Sequence, residues 1–561
     1  MSPAHRRTRQ RRHSVASLIA AGVGAGALLV AAAPGAGSAS PTAAEHPAAQ
    51  TPAAVTVTKT DSSQLRKILQ QQGLPHTDRI PITATSHPFN GAAWQNKPID
   101  LAAHGYVEKE YYLSGKANVY DWVAGSDYAT DVIASGRYTT RMDVRRPKNM
   151  ADWSGKVVVE MINMSAGYDW TAVWSALFQR VLADGDVYVG ITSKPNVLPG
   201  MKKFDRGRYG ELSWANPVPV EEQACGLLPG DEGYTPNLSR LYENGLVWDI
   251  VTQAGRLLKS RSADNPLGRP ATTVILSGES QSSNYLLTYY RYFTPAAYLD
   301  DGGPVYDGYF AETQVGIAGA PINQCAPTTD PLPADDFQAT TFPKRGVPWF
   351  GINSGWDYPG VRGWTAPEDA NTFNNKVRFW EVAGANHGWE WQYLYGDADA
   401  EDLIEAGFWD PASYDWSCGP NNPEVPFQMA EKAGYEGLKR WVTTGRAPAR
   451  APRILTEQSD TIDTTMYDDL GNAMGGLRFP MVEVPVASFG PGQYALTGSC
   501  PEIEPFDSST LSALYPTKAF YVSEYAAATR QLVRQGFILK ADAPRLIRIA
   551  RQVTSIPASG S

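Results

Sequence analysis

From residue 155 onward the chain repeats one pattern, a short apolar run followed by a stretch of helical period, and few folds accept that repetition. Val157-Val158-Val159-Glu160-Met161-Ile162 is almost wholly apolar, as a strand buried on both faces must be. Asp169 stands where a helix N-cap belongs, and Trp170, Val173, Trp174, Leu177 and Val181 follow at helical spacing until Gly185 stops them. Val187–Ile191 reads as the next strand. A Gly/Pro-rich insertion, Pro195 to Tyr242, precedes a second helix over Leu246–Leu258. Strands are expected at Thr273–Leu276, Gln314–Ala318, Val347–Ile352 and Val377–Val382, with a helix at Asn284–Phe293. This alternation predicts the α/β class: a mostly parallel, twisted sheet with helices on both faces. Tyr106–Tyr112 and Tyr138–Val144 alternate apolar and polar residues, which suits an antiparallel hairpin at its front edge.

The ends of the chain differ from this middle. Residues 1–39 carry five arginines and no acid, then the apolar run Val15–Ala33, then small residues, the order of a secretory signal peptide. Arg11-Arg12 before a weakly apolar run matches a twin-arginine signal, so the protein is expected to be secreted. Residues 40–60, rich in Ala, Pro and Thr, read as a disordered tether. The core with its insertions is then residues 61–390, and residues 391–561 form a C-terminal region appended to it, with helices near Gln428–Thr444 and Thr517–Gln535. The whole chain has 58 acidic and 49 basic residues; without the basic leader the charge is −14, a poor match to nucleic acid. No stretch after the leader is long and apolar enough to span a membrane. Cys225, Cys325, Cys418 and Cys500 form no C-x-x-C pair, so they suit up to two disulfides, in any of three pairings, better than zinc. Neither H-E-x-x-H nor a Gly-rich phosphate loop is present, and no metal or cofactor is expected.

The chemistry concentrates after the strand Thr273–Leu276. Gly278-Glu279-Ser280-Gln281-Ser282 lies between that strand and a helix, the setting in which a strained turn lifts a serine to the edge of a sheet. Ser282 stands where such turns usually carry Gly. A serine hydroxyl needs a base. Of the seven histidines only His387 follows Ser280, just past the strand Val377–Val382. The acid that orients it belongs after the preceding strand; Asp357 fits, with Asp369 and Glu381 as the other candidates. Oxyanion donors are expected from the backbone N–H of Gln281 and from the loop Asn163–Tyr168, where Met164 is preferred over Asn163. Six tryptophans fall between residues 349 and 391. Trp356 and Trp389 flank the acid and base loops and are candidates for substrate binding; packing beneath the appended region is the other reading.

These residues resemble the α/β-hydrolase superfamily, and more narrowly the large exported bacterial proteins termed alpha/beta hydrolase domain-containing. The resemblance runs from about residue 85 to 550. It rests on Pro88-Phe89-Asn90-Gly91, Val158–Asn163, Gly278–Ser282, Val382–His387 and Gly475-Gly476-Leu477-Arg478-Phe479-Pro480. It implies the α/β-hydrolase fold and an esterase-type hydrolase with Ser280 and His387 in the catalytic positions. The expected activity is hydrolysis of small-molecule or polymeric carboxylic esters. An amidase or peptidase on the same residues, and a non-catalytic surface or carbohydrate-binding protein, are the alternatives.

Overall fold

The apolar runs lie side by side in one sheet of ten strands, seen in a computed structural model that describes residues 62–122, 130–223, 226–228, 230–231, 239–314, 316, 319–324, 341–357, 366–388, 390–408, 424–457, 464–490 and 503–556. The proposed leader and tether, the four cysteines and Trp389 lie outside these residues. The strands are β1 (His76–Ile80), β2 (Tyr106–Trp122), β3 (Thr130–Pro147), β4 (Lys156–Met161), β5 (Val187–Ile191), β6 (Thr273–Glu279), β7 (Gly308–Glu312), β8 (Trp349–Ser354), β9 (Ala370–Asn371) and β10 (Lys376–Val382). Their spatial order is β1-β2-β3-β5-β4-β6-β7-β8-β10-β9. From β5 to β10 every neighbouring pair is parallel. The front edge is antiparallel, with β2 and β3 forming a hairpin far longer than the alternating segments suggest. This is the mostly parallel α/β-hydrolase sheet, with helices on both faces.

Two apolar layers enclose it. On one face the helix α1 (Ala172–Asp184) sets Val173, Trp174 and Leu177 against Val158, Ile275 and Phe310. On the other, α2 (Val247–Leu258) and α3 (Gln281–Thr288) pack Ile250, Val251 and Leu286 against Val157, Val159 and Leu276. β5 lies on one side of β4 and β6 on the other, so the order reverses there. Open α/β sheets bind ligands in the crevice outside the carboxyl ends of the strands at such a reversal. That places the exits of β4 and β6 at the expected site.

Two local expectations change. The strand before β8 is β7, Gly308–Glu312, ahead of the expected Gln314–Ala318, of which Val315, Ile317 and Ala318 lie outside the described residues. Its run ends in a glutamate and follows Asp307, which hides it from an apolar scan, whereas the Gln314 N–H leaves the ladder and donates to the Asn353 side chain at 2.9 Å. Asp169 is not the N-cap of α1. Thr171 holds that position, and the orphan N–H groups of Val173 and Trp174 donate to the Glu160 carboxylate on β4, at 3.1 and 3.0 Å. Asp169 is bound by Arg141 and Thr192 in a buried charge network behind the hairpin. The Pro88–Gly91 segment joins it: Asn90, at positive φ, donates to the carbonyls of Asp169 and Gly396 and accepts from Arg145.

The C-terminal region covers the α1 face. Helix α4 (Phe427–Thr444) runs beneath β7 and β8, and a Cβ at Gly434 would sit 2.3 Å from the Phe350 ring, so only glycine permits that approach. The Gly475–Pro480 segment adds a bridge to the end of β10: Leu477 N–H donates to Glu381 O at 2.7 Å and Ala383 N–H to Leu477 O at 3.1 Å. The start of the His387 loop is thus held by residues almost 100 positions downstream. Among the described residues no helix is long and apolar enough to cross a membrane.

Glu312 and Glu431 lie fully buried between β7 and α4, and among the described residues their carboxyl oxygens have no hydrogen-bond donor. Burial first, then the neighbouring carboxyls, holds both well above the usual Glu range. The folded protein therefore keeps protons that the unfolded chain releases. This contribution to stability is complete below the ordinary Glu pKa and is lost as pH rises through the raised values. Thermal unfolding across about pH 5 to 9 should show Tm falling with pH, and Glu312→Gln should flatten that slope. An equal slope in the variant would contradict the assignment.

Candidate active site

Ser280 sits between β6 and α3 with φ 52° and ψ −117°, a region a non-glycine residue enters only when its surroundings hold it. The hold is visible. Ser280 N–H donates to Glu312 O at 3.0 Å, and Ser283 Oγ donates to Ser280 O at 2.6 Å. The turn is tight enough that a Cβ at Gly278 would meet Ser282 O at 2.7 Å. Ser280 Oγ lies 3.0 Å from His387 Nε2, and His387 Nδ1 lies 2.7 Å from Asp357 Oδ2. All three side chains are buried.

Each partner is set by its own strand exit. Asp357 follows β8, where Ser354 Oγ donates to its Oδ2 at 2.7 Å and Asn353 Nδ2 donates to its backbone carbonyl at the same distance. His387 follows β10 after Gly384, whose φ of 72° suits glycine and whose Cβ would press on Phe489 at 3.1 Å. The Trp356 ring stands edge-on to the His387 ring, with centroids 5.6 Å apart. Of the other acids considered, Glu381 accepts from Ile454 N–H and Asp369 from Phe379 N–H, so both anchor backbone. Trp349 and Trp380 are core residues, and Trp391 stacks on Phe178, which answers to the packing reading for these three.

The loop Asn163–Tyr168 is fastened to the elbow through Glu279. Asn163 Nδ2 donates to the Glu279 carbonyl at 3.0 Å and to its carboxylate at 2.5 Å, while Asn163 Oδ1 accepts from Ser165 N–H at 2.7 Å. Met164 is buried in that loop, and its carbonyl accepts from Gly167 N–H. Gln281 opens α3, where the first N–H groups have no intrahelical acceptor. Glu279 also accepts from Thr313 Oγ1 at 2.9 Å and lies 3.8 Å from His387 Nε2. Burial raises its carboxyl pKa, and the His387 ring and these hydrogen bonds oppose that rise. Sequence reasoning passed over Glu279 and Ser354; the signal for Glu279 was a carboxylate closing an otherwise apolar strand. Among the described residues no group of three or more His, Cys, Asp or Glu side chains could hold a metal ion.

The sequence model of a family described as an alpha/beta hydrolase domain matches residues 74–548. The chain belongs to that family. Membership supports a hydrolytic enzyme. Solved structures similar to this hydrolase domain include acetyl xylan esterase 1 from Thermoanaerobacterium sp. JW/SL YS485, with 11% identity, a TM-score of 0.23, and coverage of 46% of this chain and 60% of the esterase. The alpha/beta hydrolase chain thus spans less than two thirds of that protein. Thermogutta terrifontis esterase 2 is 13% identical at a TM-score of 0.27, over 53% of this chain and 95% of its own. A carboxylesterase from Lactobacillus plantarum WCFS1 is 10% identical at 0.23, over 41% and 71%. No curated protein matches the sequence.

Proposed function

We propose that this protein is an exported serine hydrolase that cleaves carboxylic esters through an acyl-enzyme. The observation that carries the reading is the unbroken chain from Ser280 Oγ to His387 Nε2, at 3.0 Å, and from His387 Nδ1 to Asp357 Oδ2, at 2.7 Å. In the proposed reaction Ser280 Oγ bonds to the acyl carbon while its proton passes to His387 Nε2. Asp357 keeps the proton of His387 on Nδ1 and stabilises the imidazolium that forms. The carbonyl oxygen becomes an oxyanion and accepts from the N–H of Gln281 and a loop N–H, Met164 before Asn163. The tetrahedral species collapses, the C–O bond breaks, and His387 Nε2–H protonates the departing alkoxide. Water then gives a proton to Nε2 as its oxygen bonds to the acyl carbon, and the bond from that carbon to Ser280 Oγ breaks as Nε2–H returns the proton to Oγ, releasing the acid with Ser280 restored. Trp356, beside the His387 ring, is the proposed wall for the substrate, and Trp389, two positions after His387 in the sequence, is the second candidate.

Treatment with a fluorophosphonate should add one phosphonyl group to the peptide carrying Ser280, and Ser280→Ala should take up none. Folded protein that stays unlabelled would refute the proposal. Comparing an ester with its matched amide assigns the bond type: ester hydrolysis should dominate.

A further inference from the structure

Lys194 is 1% exposed, yet it belongs to no part of the proposed reaction. It follows β5 and reaches toward the elbow. Its Nζ donates to Ser282 Oγ at 2.8 Å and to Ser193 Oγ at 3.2 Å, and it lies 4.5 Å from the centroid of the Tyr285 ring. Both hydroxyls then donate to one acceptor, the Ile162 carbonyl, at 3.2 and 3.1 Å. Ile162 directly follows β4 and immediately precedes the Asn163–Tyr168 loop. The exits of β4, β5 and β6 are therefore tied at one ammonium group. Ser282 stands where glycine is usual in such a turn, and its hydroxyl makes this tie possible.

Resting on the serine-hydrolase reading above, we propose that Lys194 is a positioning residue for the oxyanion side of the site. Through Ser282 and Ser193 it fixes the Ile162 carbonyl, and with it the spacing between the first turn of α3 and the Asn163–Tyr168 loop. Its charge adds to the field in which the oxyanion develops. The charged groups that act on it are Asp169, before α1, Glu279, at the end of β6, and Glu160, in β4. They favour the cation, whereas burial pushes the amine down to about 7, so the cation is present below neutrality and lost above it.

Lys194→Met keeps the volume and removes the charge and its hydrogen bonds. The expected result is a kcat about ten-fold lower with KM within about two-fold, less than the loss of an oxyanion donor outright. The wild-type kcat should also decline as pH rises past neutrality, and Lys194→Met should lack that limb while keeping the acid limb of His387. A spacer with a structural role alone would not move a pH limb. Ser282→Ala keeps the amine and cuts the tie, so kcat should fall with the alkaline limb retained. A Lys194→Met protein with wild-type kcat and limb would overturn the inference. Should that variant fail to fold, a Ser282→Ala protein with unchanged kcat overturns it equally. Active, fluorophosphonate-labelled wild type with unaffected variants removes this inference alone; unlabelled, inactive wild type removes the hydrolase reading with it.

Discussion

Exchanging Ser280 for Ala should lower kcat on an ester by about 10^6-fold while KM changes little, because the acyl-accepting oxygen is gone and the binding surface is not. Exchanging His387 for Ala should cost about as much. The double variant should be no worse than either single one. The two side chains share one proton across 3.0 Å, so removing one leaves the other without a task. Steady-state kinetics on the three variants, with thermal unfolding to confirm folding, decides the point. Losses that multiply in the double variant would mean the two residues act separately, and the acyl-enzyme route would fall. A residual rate about 10^3- to 10^4-fold above that in water is expected to persist, supplied by the oxyanion donors and binding.

The second large effect concerns Asp357. Asp357→Ala should reduce kcat by about 10^4-fold. Asp357 Oδ2 receives His387 Nδ1 at 2.7 Å and Ser354 Oγ at 2.7 Å, so one oxygen fixes both the ring and its tautomer. Ser354 Oγ accepts in turn from the N–H of Trp356 and Asp357, which commits its proton to the carboxylate. Loss of the carboxylate lets the ring turn and withdraws the negative charge that favours the imidazolium. Since neutral His387 is the active form, the acid limb of kcat/KM should move to lower pH in the variant. A limb that stays in place, or a loss of only a few-fold, would give the acid role to another carboxylate, and Glu279 at 3.8 Å from Nε2 would be the next to test.

The strands that carry these side chains were visible in the sequence wherever burial on both faces demands an unbroken apolar run. β5, β8 and the first half of β6 appear so, β4 and β10 are legible despite Glu160 in the one and Arg378 and Glu381 in the other, and the glycine stop of α1 is visible as well. β7 is not: a glutamate that the fold buries beside three other carboxyls, Glu431, Glu279 and Glu160, ends its short run. The N-cap of α1 was misplaced because the cap is supplied by Glu160, a side chain on the preceding strand. Asp169, which looks like a local cap, is needed by Arg141. The Gly475–Pro480 motif showed that something was required there, without showing that Leu477 bridges to β10.

By itself, then, the sequence determined the alternation that makes a parallel sheet, the strand-to-helix turn at Ser280, and the shortlist of a single downstream histidine with three acids. These are properties of windows of about ten residues, where side-chain periodicity and turn chemistry act directly. Only the tertiary structure decided that Ser280 meets His387 across 107 positions, that Asp357 and not Asp369 or Glu381 meets that histidine, and that Lys194 and Glu279 stand behind the elbow. Those contacts depend on the order and register of parallel strands, which loops of any sequence can join, and on packing that no local pattern encodes.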